Sequence, residues 1–209
     1  MHLPRRRAAV RSLLAAAFLA FAAGPASAVI LYFNLGGARS ISLRIGSNNA
    51  VVNVVNFVVT NAALAPGGTP VTGVAGGGAS ATNPVGGIYI EVTTNRRGLT
   101  PDVVRLSANS STGLACVSGT CLGSGTVIPF NTISWTSYEP IGGGAFTAGI
   151  PSGSFNGAAN QVLFSHTIPP VAGIDSMLAA NVLIFSYSNA TIYPSGIYTG
   201  RVTYTITVP

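Results

Sequence analysis

The residues that could carry chemistry are few, and they are spread along the chain. After the first 28 residues the sequence holds one histidine, two cysteines and four acidic residues. A serine hydrolase would need His166 beside a nucleophile and an acid, for which Asp102 and Asp175 are the candidates. The sequence contains no Gly-x-Ser-x-Gly nucleophile motif. We therefore predict a protein without catalytic residues.

Carboxylate pairs and metal ligands are no better supported by the sequence. A glycosidase needs two carboxylates on either side of the glycosidic bond. Glu91 with Glu139, or Glu91 with Asp102, would supply them, but no spacing in the sequence places any two together. The histidine and the acids also lack the clustered spacing of a metal site. We predict no metal site and no cofactor.

The two cysteines are Cys116 and Cys121, in Cys-Val-Ser-Gly-Thr-Cys. In an exported chain, two cysteines on either side of a Ser-Gly turn predict a structural disulfide at the tip of a hairpin. Their spacing is neither that of a redox pair nor that of a zinc site, which leaves free thiols as the alternative. Because the closed loop is short, the bond should contribute about 2–3 kcal/mol at most.

The N-terminus has the features of a secretory signal peptide. Basic residues Arg5–Arg7 precede the apolar stretch Leu13–Ala23, and the small residues Ala26-Ser27-Ala28 follow. Cleavage between Ala28 and Val29 would leave one domain, residues 29–209. The apolar stretch is shorter than the about 20 residues of a spanning helix, although a retained anchor is the alternative. We expect export by the general secretory route to the periplasm, the cell surface or the medium.

The basic character of the chain belongs mostly to this signal. The formal net charge is +6, but four of the ten arginines lie in the first 28 residues, so six arginines face four acids afterwards, a net of +2. This balance gives no argument for nucleic-acid binding. Charged residues make up 7% of the chain and lysine is absent, against about 25% charged residues in average proteins. So little charge lowers the barrier to self-association through edge strands.

Alternating patterns predict an all-β fold, a single antiparallel immunoglobulin-like β-sandwich of about eight to ten strands. The longest pattern is Ile197–Val208, in which apolar or aromatic residues alternate with Thr and Arg. We predict one long half-buried strand there. Only Ile174–Ala180 is compatible with a helical turn. Further strands are predicted at Val29–Leu35, Ser40–Ile45, Val51–Thr60, Ile88–Thr93, Val104–Ala108, Phe130–Trp135, Gln161–Ser165 and Val182–Tyr187.

Stretches rich in Gly, Pro, Ser and Asn separate these strands. The longest, Ala65–Gly87, is interpreted as an insertion in one sandwich, with a linker between two domains as the alternative. Asn95-Arg96-Arg97-Gly98 predicts a tight connection. Arg96 and Arg97 are a candidate patch for an anionic glycan or cell-wall polymer, although two solvated arginines at a turn are the simpler interpretation.

Some aromatic residues and glycosylation motifs are candidates for binding or modification. Trp135 could stack on a carbohydrate, but a lone Trp in an alternating strand is more typical of a core. Tyr187, Tyr193 and Tyr198 are predicted to fix the turn before the last strand. Asn109 and Asn189 begin glycosylation motifs, which matter only in a eukaryotic secretory path.

The last 17 residues, from Tyr193, resemble the closing strand of chaperone–usher fimbrial subunits. Those subunits carry a glycine fourteenth from the end, which Gly196 matches, and Tyr198 follows it in this chain. Their penultimate residue is Tyr, where this chain has Val208. The stretch is also similar to the end of WxL cell-surface domains, with Tyr204-Thr205-Ile206 in place of Trp-x-Leu.

The fimbrial resemblance implies a β-sandwich completed by a neighbour's strand through β-augmentation. The candidate donor is the strand that carries Val29, Leu31, Phe33 and Leu35, with pairing inside its own sheet as the alternative. The implied partners are other surface subunits or a periplasmic chaperone. We expect an exported structural or adhesive surface protein; the alternative is a non-polymerising module that binds a cell-wall polymer or glycan through its loops.

Overall fold

The computed structural model describes residues 31–34, 40–46, 54–59, 67–76, 84–95, 101–138, 149–168 and 176–208. These residues form an all-β structure with antiparallel pairing and one short 3-10 turn. Within these ranges there is no helix with the length and apolar character needed to cross a membrane. Several predicted features lie outside the described residues: the signal peptide with Ala28 and Val29, donor position Leu35, Arg96 and Arg97, Glu139 and Asp175.

The described part of the chain contains fifteen strands. They are β1 (Leu31–Asn34), β2 (Ser40–Ile45), β3 (Val54–Asn56), β4 (Val71–Thr72), β5 (Val74–Gly76), β6 (Ile88–Asn95), β7 (Asp102–Asn109), β8 (Leu114–Gly119), β9 (Val127–Ile128), β10 (Ile133–Tyr138), β11 (Gly153–Ser154), β12 (Gln161–Ile168), β13 (Ser176–Tyr187), β14 (Gly196–Thr199) and β15 (Thr203–Thr207). Several have only two or three residues, so the strands outnumber the predicted eight to ten.

The strands form one large sheet and three small ones. The large sheet has seven strands in the order β1-β2-β6-β13-β10-β11, with β4 also paired to β13. The smaller sheets are β12-β7-β15, β14-β8-β9 and β3-β5. At the edge of the large sheet β1 pairs with β2, with Leu31 opposite Leu43 and Phe33 opposite Ile41.

The core lies between the large sheet and the sheet β12-β7-β15. Ile90 and Val92 of β6 and Val104 and Leu106 of β7 each have 0% exposure and belong to one apolar cluster. These are the residues that alternation predicted to face inwards. Each fully buried side chain of this size contributes about 1.5–3 kcal/mol by leaving water, so the alternating strands supply much of the stability.

The predicted closing strand Ile197–Val208 is two strands, and the prediction of one continuous strand was wrong. β14 pairs with β8, whereas β15 pairs with β7 in a different sheet. The alternation nevertheless continues across the break, because Tyr198, Val202 and Tyr204 are half-buried against the core and Ile206 is buried. The alternating pattern correctly predicted which side chains face inwards, but it did not predict that the chain changes sheets.

The break has a cause in backbone packing. A Cβ at Gly200 would clash with the carbonyl oxygen of Gly113. Gly113 lies in the turn between β7 and β8 and has a φ of 69°, in the left-handed region that glycine tolerates. Two glycines therefore let two chain segments touch at a corner, where both pass from one sheet to the next.

Three further predictions were wrong in detail. The predicted helical turn at Ile174–Ala180 is strand from Ser176, because β13 pairs with β6 from Ser176 opposite Asn95 onwards. The predicted strand Phe130–Trp135 begins as a 3-10 turn at Phe130–Thr132, and strand starts only at Ile133. The stretch Ala65–Gly87 is not all loop, since it contains β4 and β5.

Candidate functional site

The disulfide joins Cys116 of β8 to Cys121 in the turn that follows, with a Cα–Cα distance of 5.9 Å. β8 continues through this turn to β9, which pairs back onto it. The bond therefore lies at the tip of a hairpin, and this prediction is confirmed. Cys121 is 0% exposed, so one half of the bond is buried in the protein.

The disulfide turn also holds the start of β14. The backbone N–H of Cys121 donates to the carbonyl oxygen of Ser195 at 3.1 Å, and the Thr120 hydroxyl donates to the same oxygen at 2.8 Å. A Cβ at Gly196 would clash with Sγ of Cys121 and with the carbonyl oxygen of Ser118. The glycine that carried the fimbrial resemblance thus has a packing role of its own here, since only glycine fits against the disulfide.

The tyrosines near β14 fix the preceding turn, as predicted. The Tyr198 hydroxyl donates to the carbonyl oxygen of Pro194 at 2.8 Å, and its ring contacts Tyr193 edge-on at 6.4 Å. The hydroxyl of the buried Tyr187 donates to the carbonyl oxygen of Thr191 at 3.5 Å. Burial, with the neighbouring Tyr193 adding to it, raises the pKa of both Tyr187 and Tyr198. Both phenols therefore remain hydrogen-bond donors to a higher pH than a free tyrosine would.

The outer side of the sheet β14-β8-β9 exposes large apolar side chains. Ile197 is 60% exposed, Val117 is 49% exposed and Val127 is 46% exposed, one on each strand. Leu122, in the disulfide turn, is 66% exposed. Tyr198, the residue after Ile197, points the other way and packs against the core. We call Val117, Val127 and Ile197 the apolar face.

His166 lies on β12 among apolar neighbours. It stands opposite Val104, and its ring stacks parallel to Phe164 with centroids 6.3 Å apart. Asp102, opposite Ile168, occupies a diagonal position on the same face, and diagonal Cβ atoms are about 7–8 Å apart. The register positions around this pair hold Val104, Phe164 and Ile168, none of which is a nucleophile. The arrangement therefore lacks the third member of a hydrolase site at these positions.

Glu91 is engaged within the large sheet. Its carboxylate accepts hydrogen bonds from the Tyr89 hydroxyl at 2.6 Å and the Thr93 hydroxyl at 3.5 Å, and it lies 3.9 Å from the Arg44 guanidinium on β2. Burial, followed by the hydrogen bond to Glu91, raises the pKa of Tyr89. Among the described residues there is no group of three or more His, Cys, Asp or Glu that could hold a metal. This part of the sheet is best explained as a cross-strand polar cluster.

Trp135 is a core residue, as predicted. It is 5% exposed, its ring lies 4.9 Å from that of Phe155, and its indole N–H donates to the carbonyl oxygen of Pro151 at 2.8 Å. Because aromatic side chains cover the indole ring of Trp135 and its N–H is already hydrogen-bonded, the ring offers no surface on which a sugar could stack. The glycosylation motif at Asn189 is also enclosed, because Asn189 is 4% exposed and donates to the carbonyl oxygen of Thr69.

Comparison of the chain with protein-family models, curated proteins and solved structures finds no match. Function must therefore be inferred from the geometry described above. The feature that stands out is the disulfide-braced sheet β14-β8-β9 with its apolar face, together with the edge strand β1. Sequence reasoning had identified the disulfide, but it had not identified the apolar face.

Removal of the disulfide should loosen β14 before it affects the core. For the double variant Cys116→Ser/Cys121→Ala we expect a loss of about 2 kcal/mol in the free energy of unfolding, because the closed loop is short. Amide hydrogen exchange should accelerate in β14, while β7 keeps its protection. Reduced wild-type protein should behave in the same way. Unchanged exchange in β14 would show that the bond does not brace this strand.

Stability should fall as the pH rises above about 10, the ordinary pKa of tyrosine. Burial raises the pKa of Tyr204, and burial with the Glu91 hydrogen bond raises that of Tyr89. Since the folded protein holds these protons more tightly than the unfolded chain, their stabilisation is complete below pH about 10 and is lost as the pH rises towards the folded-state pKa. Denaturant unfolding across this range should show a shallower decline for Tyr204→Phe; an unchanged decline would remove Tyr204 as a contributor.

Proposed function

We propose that this chain is an exported structural or adhesive cell-surface protein, similar to a fimbrial subunit, built on an immunoglobulin-like β-sandwich and acting without catalysis. The observation that carries the proposal is the position of β1. It is the first described strand after the predicted signal peptide, it is at the edge of the large sheet, and β2 is its one partner there. An edge strand at the start of the mature chain is the element that two copies can most easily exchange.

Exchange would preserve the pairing that the single chain makes. β1 is held by an antiparallel register in which Leu31 stands opposite Leu43 and Phe33 opposite Ile41. Leu43 and Ile41 are 2% and 5% exposed, so β2 is anchored in the core and presents a fixed edge to the strand that pairs with it. The strand from a second copy can supply the same register by β-augmentation. The absence of lysine and the low charge also leave such edges unguarded.

Two further features support the assignment to an exported protein. A disulfide in a chain with two cysteines is typical of an oxidising compartment. The low charge suits a protein that assembles with other copies, because like-charge repulsion between them is small. The partners we propose are other surface subunits, with a periplasmic chaperone covering the open edge before assembly.

Cysteine crosslinking tests the proposal directly. Tyr32 and Ser42 are opposite residues in the β1–β2 register. We expect that a mixture of one chain carrying Tyr32→Cys and another carrying Ser42→Cys, purified in mature form and oxidised, forms a mixed dimer. A mixture of Tyr32→Cys with Ser134→Cys is the matched control, because Ser134 is an exposed serine on β10, three strands further across the sheet.

The outcomes separate the functions considered. A mixed dimer that forms with Ser42→Cys and not with Ser134→Cys supports strand exchange. The proposal would be overturned by two results together. The double variant Tyr32→Cys/Ser42→Cys would form its crosslink only within one chain, and the mature protein would stay monomeric and bind no other subunit. A monomer that sediments with cell wall or glycan would instead support the polymer-binding module, and a turnover abolished by His166→Ala would support an enzyme.

A further inference from the structure

We propose that Asn156 deamidates in the folded protein, with water as the only co-reactant, so that the turn between β11 and β12 is a site of spontaneous covalent modification. Asn156-Gly157 is the one Asn-Gly pair in the sequence. The backbone nitrogen of Gly157 is the nucleophile and Cγ of Asn156 is the carbon that it attacks. This inference does not depend on the proposed function, because the turn is distant in sequence from β1 and the reaction needs no partner.

The fold requires a glycine after this asparagine. Gly157 has a φ of 73°, in the left-handed region that other residues rarely adopt. The turn is short, since Phe155 is buried at 3% exposure and β12 begins at Gln161. Asn156 itself is exposed to solvent. The turn therefore places an exposed asparagine before the residue that least obstructs attack by its own backbone nitrogen.

The hydrogen bonds of Asn156 leave both reacting nitrogens available. Its Oδ1 accepts the backbone N–H of Ala158 at 2.9 Å. A backbone N–H can only donate, so the atom that faces it is the amide oxygen and not Nδ2. Within the described part of the chain, neither Nδ2 nor the Gly157 N–H has a hydrogen-bond partner. An added Cβ at Gly157 would meet no described atom within 4 Å, so the surroundings of this nitrogen are open.

The contact with Ala158 also favours the chemical step. When the Gly157 nitrogen bonds to Cγ, the amide oxygen gains negative charge, and the Ala158 N–H already lies against it. A donor that is in place before the charge develops lowers the barrier. The Gly157 nitrogen loses its proton to a solvent base, and the bond between Cγ and Nδ2 breaks. Nδ2 takes a proton from solvent and leaves as ammonia, which gives a cyclic imide.

Water then opens the imide at either of its carbonyl carbons. The hydroxyl of water adds to that carbon, its bond to nitrogen breaks, and the nitrogen regains a proton. Opening at Cγ gives aspartate, whereas opening at the main-chain carbonyl gives isoaspartate. Both products add one negative charge to a stretch that has no Asp, Glu, Lys, Arg or His between Glu139 and His166. Without the predicted signal, six arginines then face five acids, a net of +1.

Asn109 provides a comparison within the same molecule. Its Oδ1 accepts the Ser111 N–H at 3.1 Å and the Ser111 hydroxyl at 2.8 Å, so its side chain makes a similar turn. The next nitrogen is engaged, however, because the Ser110 N–H donates to the carbonyl oxygen of Ala158 at 3.0 Å. Ser110 is also only 1% exposed. Since Asn109 and Asn156 are both exposed, a difference in their rates reports on the attacking nitrogen.

Incubation of the purified mature protein at neutral and mildly alkaline pH, with its disulfide intact, tests the proposal. Peptide mapping by mass spectrometry locates each conversion of Asn to an acid, and intact-mass spectra detect the imide as a species that has lost ammonia. We expect Asn156 to react at least about 10-fold faster than Asn109, and Gly157→Ala to slow it at least about 10-fold, because a methyl group then obstructs the attack. Gly149→Ala is the matched control, since its added Cβ has its nearest neighbour 3.8 Å away, and it should leave the rate unchanged.

A peptide with the sequence of residues 154–158 shows what the fold contributes. A rate in the folded protein within about 10-fold of the peptide's rate supports the proposal, because the turn then leaves the pair reactive. A slower rate in the folded protein, or an Asn156 rate no faster than that of Asn109, would overturn it. Circular dichroism shows whether Gly157→Ala is folded. If that variant unfolds, the comparisons with Asn109 and with the peptide still decide the question in the wild-type protein.

Discussion

Replacing Trp135 with alanine should lower the free energy of unfolding by about 3–5 kcal/mol, the usual cost of removing a large aromatic side chain from a core. The ring is 5% exposed and contacts Phe155 at 4.9 Å and Phe185 at 6.4 Å. Its removal would also leave the carbonyl oxygen of Pro151 without its indole partner. Chemical denaturation followed by circular dichroism gives the measurement.

The matched control lies on the same strand. Tyr138 is also an aromatic residue of β10, but it is 43% exposed, so Tyr138→Ala should cost much less than Trp135→Ala. Trp135→Phe should recover part of the stability, because it restores the ring and not the hydrogen bond. If Trp135→Ala and Tyr138→Ala were equally mild, the aromatic cluster would not be the centre of the core.

A side chain at Gly196 should destabilise the protein by about 1–3 kcal/mol, the usual cost of overpacking. The added Cβ of Gly196→Ala would clash with Sγ of Cys121 and with the carbonyl oxygen of Ser118. The start of β14 would have to move away from the disulfide turn. We expect a lower unfolding midpoint and faster amide exchange in β14.

A double-mutant cycle identifies the clash that matters. In the Cys116→Ser/Cys121→Ala background the sulfur is gone, so Gly196→Ala should cost less than it does with the disulfide intact. Gly149→Ala is the control, because the nearest atom to its added Cβ is 3.8 Å away, an ordinary contact distance. The same cost with and without the disulfide would assign the strain to the backbone of Ser118 alone.

Local patterns predicted the parts of the fold in which one face of a strand is buried. Alternation identified Ile88–Thr93 and Val104–Ala108 correctly, because the inward residues of these strands have almost no exposure. It failed for the first half of β13, where Ala179 and Ala180 are both buried although they point to opposite faces. A strand that is buried on both sides has no period of two to detect.

Features that depend on residues distant in sequence were not predictable. The break at Gly200 depends on Gly113, which approaches it only in the folded chain. The apolar face was missed for a related reason. Val117 and Val127 lie in short segments without clear alternation, Ala115-Cys116-Val117 and Val127-Ile128, so periodicity does not say which of their side chains meets the core. The disulfide was predictable because both cysteines lie within six residues of sequence.

The corner at Gly113 and Gly200 has a consequence for how the chain folds. β7 and β8 receive β15 and β14 from the very end of the sequence, and the Ser107 hydroxyl donates to the carbonyl oxygen of Thr205 across 98 residues. Contacts of such high sequence separation make folding slow. Until residues 196–207 have been synthesised, β7 and β8 each lack a neighbour along one edge. The nascent chain therefore exposes these two strand edges until both β14 and β15 have been synthesised.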